Sequence, residues 1–167
     1  MYRILTVCTG NICRSPMAAY MLREAVDAAG LEDVEIASAA TSDWETGNPI
    51  DPRAAGLLTQ RGIETSSHVA RQFTADDFAT ADLVLALDTD HFNHLRRLAT
   101  NDTDRSKIRM LRSFDPELAR EAPARQGIYD PWYGDEADFE TTSQLIVAAL
   151  PGLVQHIKSQ TADTRGA

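Results

Sequence analysis

A short β-rich run, a polar turn of seven residues and an amphipathic helix follow one another without a break in residues 2–30. The first run is YRILTV at residues 2–7, and the turn occupies residues 8–14. The helix predicted over residues 16–29 carries Met17, Met21, Leu22, Ala25 and Val26 at helical spacing. Ser15 and Pro16 suit its start and Gly30 its stop. A second β-rich run at residues 34–37 comes next, and the alternation then continues. A helix is predicted at residues 52–61, a buried strand (DLVLAL) at 82–87, a helix at 90–99 and a strand at 107–111. Strand and helix in alternation predict an α/β fold built on a parallel sheet. Such sheets bind ligands beyond the carboxyl ends of their strands, and Cys8 stands at the end of the first one.

After a polar stretch at residues 113–135, the last helix is predicted from Glu136. Phe139, Thr142, Ile146, Ala149, Leu150, Leu153 and Val154 share one of its faces, and Pro151–Gly152 predicts a kink or a split. The sequence therefore reads as one domain over residues 1–159, with 160–167 as a polar, disordered tail.

Composition excludes several functions. The net charge of −9 provides no footprint for nucleic acid or anionic lipid, so an anionic substrate needs a local positive site. Only two cysteines occur, Cys8 and Cys13, too few for a disulfide framework and consistent with reduced thiols. No signal pattern or membrane-length apolar run is present, so a cytoplasmic location is expected, with export by a signal-less route left open.

The turn itself, Cys8-Thr9-Gly10-Asn11-Ile12-Cys13-Arg14 followed by Ser15, holds a cysteine and an arginine with five residues between them. A loop of this length can wrap into a cradle of inward N–H groups at a helix N-terminus. Cys8 then sits at the cradle floor, and Arg14 can return a planar guanidinium to two phosphate oxygens. Gly10 and Asn11 suit the left-handed backbone that a tight wrap requires. Inward dipoles, the helix end and Arg14 together favour a thiolate at Cys8. A bare cysteine–arginine spacing is equally compatible with a half-buried thiol beside a surface arginine; the strand before it and the helix after it favour chemistry.

These residues carry a resemblance. VCTGNICRSPMA at residues 7–18 resembles the phosphate loop of low-molecular-weight protein tyrosine phosphatases. The likeness continues through SAATSDWETGNP (38–49), HVARQ (68–72), DLVLALD (82–88) and DPWYGDEADFE (130–140). It implies a single three-layer domain, a four-stranded parallel twisted sheet flanked by helices on both faces. It also implies hydrolysis of phosphotyrosine and small aryl phosphates through a phosphocysteine intermediate. In the roles it implies, Cys8 is the nucleophile, Arg14 binds phosphate within the loop of residues 9–14 (Thr9, Gly10, Asn11, Ile12, Cys13, Arg14), and Asp130 is the general acid and base. Asn11, Ser15, Ser38 and His68 support the loop, Trp44, Trp132 and Tyr133 wall the pocket, and Cys13 is a redox partner for Cys8. No metal or cofactor is implied. The implied partners are phosphotyrosine-containing proteins and a cognate tyrosine kinase, met by a monomer.

Trp132 departs from the tyrosine that the family most often shows there, which bears on substrate preference. An arsenate reductase on the same scaffold needs further cysteines downstream, and none follows Cys13. An arginine phosphatase tends to carry threonine where this chain has Ile12, whose apolar side chain suits an aryl substrate. A non-catalytic phosphotyrosine-binding module would lack Cys8, Arg14 or Asp130, and all three are present. His91 and His94, one helical turn apart, read as a solvated helix face rather than metal ligands.

Overall fold

The computed structural model describes residues 1–165, with side chains described to residue 162. Four parallel strands form one sheet in the order β2-β1-β3-β4. They are β1 Tyr2–Cys8, β2 Val34–Ala40, β3 Leu83–Ala86 and β4 Ile108–Met110. The helices are α1 Arg14–Ala28, α2 Pro52–Gln60, α3 Asp77–Thr80, α4 Thr89–Leu98, α5 Asp102–Ser106 and α6 Glu136–Arg165. The order bears out the α/β expectation and adds two short helices, α3 and α5, too brief to show periodicity in the sequence.

Side-chain alternation along the strands divides the core in two. Ile4, Leu83, Leu85 and Leu87 pack with Met17, Met21 and Leu22 of α1, Leu58 of α2 and Ile146 and Leu153 of α6. Leu5, Val7, Val84 and Ala86 face the other way, onto Phe78 of α3 and Leu95 of α4. The sheet is thus the middle of three layers. Strand order reverses between β1 and β3, so their carboxyl ends open the crevice where this fold seats ligands. Cys8 ends β1 at that crevice.

Local chemistry sets the helix starts. Asp51 caps α2 by accepting from Arg53 N–H at 2.9 Å, with Pro52 at the first helical position. Asp88 caps α4 in a reciprocal capping box with His91. By contrast Cys13, the cap residue of α1, contributes no side-chain cap. The first N–H groups of that fifteen-residue helix therefore gain no side-chain acceptor from the cap residue.

The split expected at Pro151–Gly152 is not observed. Pro151 lies inside α6, but the helix runs as one element from Glu136 to Arg165. The helix extends past the buried Ile157 to residue 165, and residues 166 and 167, at the end of the expected tail, lie outside the described residues. Gly152 explains part of the tolerance, because its missing side chain lets α6 press against the Phe114 carbonyl. A Cβ there would collide with that backbone oxygen. Gly152→Ala is therefore expected to destabilise the fold although alanine is the better helix former. Overpacking costs about 1–3 kcal/mol and the propensity gain offsets about 1 kcal/mol. A denaturant titration checks the sign.

Candidate active site

The turn between β1 and α1 wraps around Cys8 Sγ. Ser15 Oγ lies 3.0 Å from the sulfur, and Asn11 N–H donates to it at 3.3 Å. Ser15 has one hydroxyl proton and two acceptors within reach, Cys8 Sγ and the Ala39 carbonyl at 3.2 Å. An ionised sulfur draws that proton to itself; a thiol instead donates to Ser15 and leaves the proton for Ala39.

Asn11 is the hub of the loop. It is fully buried and left-handed, with φ of 59°. Its Nδ2 donates to Ser15 Oγ at 2.9 Å and Ser38 Oγ at 2.8 Å. Its Oδ1 accepts from Arg71 N–H at 3.1 Å, and its carbonyl accepts from His68 Nε2 at 2.7 Å. The His68 proton therefore resides on Nε2. Burial pushes the His68 pKa below its ordinary value, against the pull of the Asn11 carbonyl. All four residues expected to support the loop are joined in this network. Gly10 is a correction, because its φ is not positive. The position is instead closely approached, since a Cβ there would meet Glu45 Cγ at 3.1 Å and that side chain would have to shift.

Arg14 is buried and held by acceptors on two elements. Its Nη1 donates to Asp88 Oδ2 at 2.7 Å and to the Ile128 carbonyl at 3.0 Å, and its Nη2 to Asp130 Oδ2 at 3.0 Å. Burial works to raise the Asp88 carboxyl, but His91 and Arg14 outweigh it and hold it below the usual carboxylate range. Asp130 also caps the turn Pro131–Tyr133, accepting from Trp132 N–H at 3.1 Å.

One cleft of about 210 Å³ brings these groups together. Cys8 and Arg14 form its floor, Asp130 stands at its side, and Ile12, Trp44, Trp132 and Tyr133 line its apolar walls. Trp44 is 78% exposed and Tyr133 79%, so neither packs into the core. Trp132 and Tyr133 brace each other edge to face, with centroids 5.0 Å apart. Cys13 is a buried free thiol one residue before Arg14. Burial and then the charge of Asp51 push its pKa above the cysteine range, so it stays protonated beside Cys8.

Three contributors are not assigned to the site by the sequence. Asp88 was visible only as the end of a strand motif, yet it fixes Arg14. Arg53 joins Asp51 to the carbonyls of Trp132 and Gly134, at 3.3 and 3.0 Å, and lies 4.6 Å over the Phe139 ring. Burial works to raise the Asp51 carboxyl, and hydrogen bonds from Arg53 prevail and hold it low. His91, expected on a solvated helix face, is instead buried with its ring 2.9 Å from Thr9 Oγ1. The helical spacing of His91 and His94 did not reveal which of them turns inward.

Comparison with known proteins gives the family. The family model "Low molecular weight phosphotyrosine protein phosphatase" matches residues 3–163. A "Low molecular weight protein-tyrosine-phosphatase" of Streptomyces coelicolor is 43% identical over 160 residues, covering 95% of both chains. A crystal structure of a protein tyrosine phosphatase from Entamoeba histolytica superposes with a TM-score of 0.86 at 25% identity, covering 96% of this chain and 99% of that one. A Drosophila arginine phosphatase superposes with a TM-score of 0.83 at 30% identity, covering 93% and 97%. With a family match spanning nearly its whole length, the chain belongs to the low molecular weight phosphotyrosine protein phosphatases.

Proposed function

We propose that this chain hydrolyses phosphotyrosine in proteins, with Cys8 as nucleophile, Arg14 as phosphate clamp and Asp130 as general acid and base. The observation that carries the reading is the convergence of Cys8, Arg14 and Asp130 on one cleft with aromatic walls. The Cys8 thiolate attacks phosphorus in line, while loop N–H groups and Arg14 hold the non-bridging oxygens. As the phosphorus–oxygen bond breaks, the phenolate takes the proton of Asp130. Water then attacks the phosphocysteine, its proton passes to Asp130, and phosphate leaves with the Cys8 thiolate restored.

Arg14 Nη2 pairs with Asp130 Oδ2 at 3.0 Å. A phosphate dianion competes for the Nη2 group that Asp130 holds, and its arrival frees that carboxyl to face the leaving oxygen. Arg14 stays oriented because Asp88 and Ile128 keep its other nitrogen.

Ile12 and the aromatic walls favour an aryl group over a charged guanidinium. The test is phosphate release from phosphotyrosine and phosphoarginine peptides, under reductant and chelator. Release from phosphotyrosine is the expected result; release from phosphoarginine alone overturns the tyrosine reading. In the same assay Asp130→Asn is expected to slow phosphotyrosine turnover by about 10²-fold. The loss should shrink on aryl phosphates whose phenols are more acidic, since those leave without a proton.

In this reading the substrates are phosphotyrosine-containing proteins, and a tyrosine kinase is the opposing activity. The chain acts as a monomer in the cytoplasm, and no helix among the described residues is long and apolar enough to cross a membrane. Cys13 serves as redox partner. When a peroxide converts Cys8 to its sulfenic acid, the Cys13 thiol condenses with it and water leaves, giving a disulfide that thiols reduce.

A further inference from the structure

His91 is buried in the first turn of α4, with 1% of its surface exposed. Its Nδ1 accepts from Asp88 N–H at 3.2 Å, so the proton of the neutral ring resides on Nε2. That Nε2–H points at Thr9 Oγ1, 2.9 Å away, on the residue that follows Cys8. On its backbone side, His91 N–H donates to Asp88 Oδ1 at 3.0 Å, and Asp88 Oδ2 receives Arg14. A single residue therefore ties the start of the phosphate loop, through its ring, to Asp88, whose carboxylate it meets through its own backbone N–H and which orients the guanidinium at the loop's other end.

We propose that His91 is a positioning residue that sets the geometry of the phosphate loop relative to Arg14. The inference rests on the phosphatase reading above. A residue that merely caps α4 would need only its contacts to Asp88, and a bulk-filling residue would need no partner at Thr9. The ring bridges both. Burial, aided by Arg14 and His94, overcomes the pull of Asp88 and pushes the His91 pKa down to about 4. The neutral ring is thus the form present near neutral pH, and it is the form that can accept from Asp88 and donate to Thr9 at once.

His91→Asn separates the roles. Its amide oxygen can still accept from Asp88 N–H and keep the cap, but the shorter side chain falls short of Thr9. The expected result is a melting temperature close to wild type, kcat on a phosphotyrosine peptide lower by about tenfold, and KM little changed, in the range seen when a supporting hydrogen bond is lost. Inorganic phosphate should bind His91→Asn more weakly in calorimetry. Thr9→Val should reproduce the kcat loss, and the double variant should be no slower than either single one. Wild-type kcat and phosphate affinity in a folded His91→Asn protein would overturn the proposal. So would losses that multiply in the double variant. If wild type binds phosphate more tightly than His91→Asn yet leaves phosphotyrosine intact, the positioning role holds and the tyrosine assignment alone fails.

Discussion

Cys8→Ser is expected to abolish phosphate release from phosphotyrosine, a loss of roughly 10⁵-fold or more, in a protein that still folds. The reason lies in what surrounds the sulfur. The groups that meet Sγ are the Ser15 hydroxyl and the Asn11 N–H, hydrogen-bonding partners that can donate to a thiolate. Neither is a base, so neither can take the proton of a serine hydroxyl, which holds it far more tightly than a thiol does. Serine is also smaller than cysteine and can share hydrogen bonds with Ser15, so the buried position accepts it. The informative comparison is activity against binding. The variant should still capture phosphotyrosine peptide, because the loop donors and Arg14 are intact. Equal turnover by both proteins would remove Cys8 as nucleophile and the phosphocysteine with it.

Arg14→Lys is expected to lower kcat/KM by roughly 10³–10⁵-fold, although the charge is kept. The guanidinium presents nitrogens in a fixed plane, one anchored by Asp88 and Ile128 and the other free to pass from Asp130 to a phosphate oxygen. A lysine ammonium is a single point at the end of a flexible stem. Paired with Asp88 it leaves Asp130 and the phosphate unattended; turned toward the phosphate it abandons Asp88 in a half-buried site. Steady-state kinetics on a phosphotyrosine peptide decides the matter, and a loss below tenfold would show that charge alone suffices.

The fold and the core of the site were legible because both depend on short-range patterns. The run from residue 2 to residue 30 predicts β1, the loop and α1, and the spacing of Cys8 and Arg14 predicts their convergence on one anion. Asn11 and Gly10 look alike in sequence as residues that tolerate left-handed backbone, but only Asn11 adopts it. What crowds Gly10 is Glu45, thirty-five residues away. The same holds for Asp88, whose partner Arg14 is seventy-four residues distant. His91 was misread because its neighbours Asp90, Asn93 and His94 are polar, and the apolar stripe of α4 is too sparse to orient it. Residues 113–135 read as a polar stretch, yet Ile128 is buried and its N–H joins the Leu87 carbonyl at 2.8 Å. Long-range packing of this kind leaves no periodic trace.

The hub role of Asn11 has a consequence for how such an enzyme can change. Its side chain uses both donors and its acceptor, and its backbone needs φ of 59°. Aspartate would lose the donors, and glycine would retain the backbone and lose every side-chain bond. One amino acid solves all the constraints, so the position has almost no freedom to drift. Its neighbour Ile12 faces the cleft from a half-buried position and carries no part of that network. New substrate preferences can therefore arise by substitution at Ile12 or on the aromatic walls while the chemistry beneath is held constant. The loop separates what can diversify from what cannot, one residue apart.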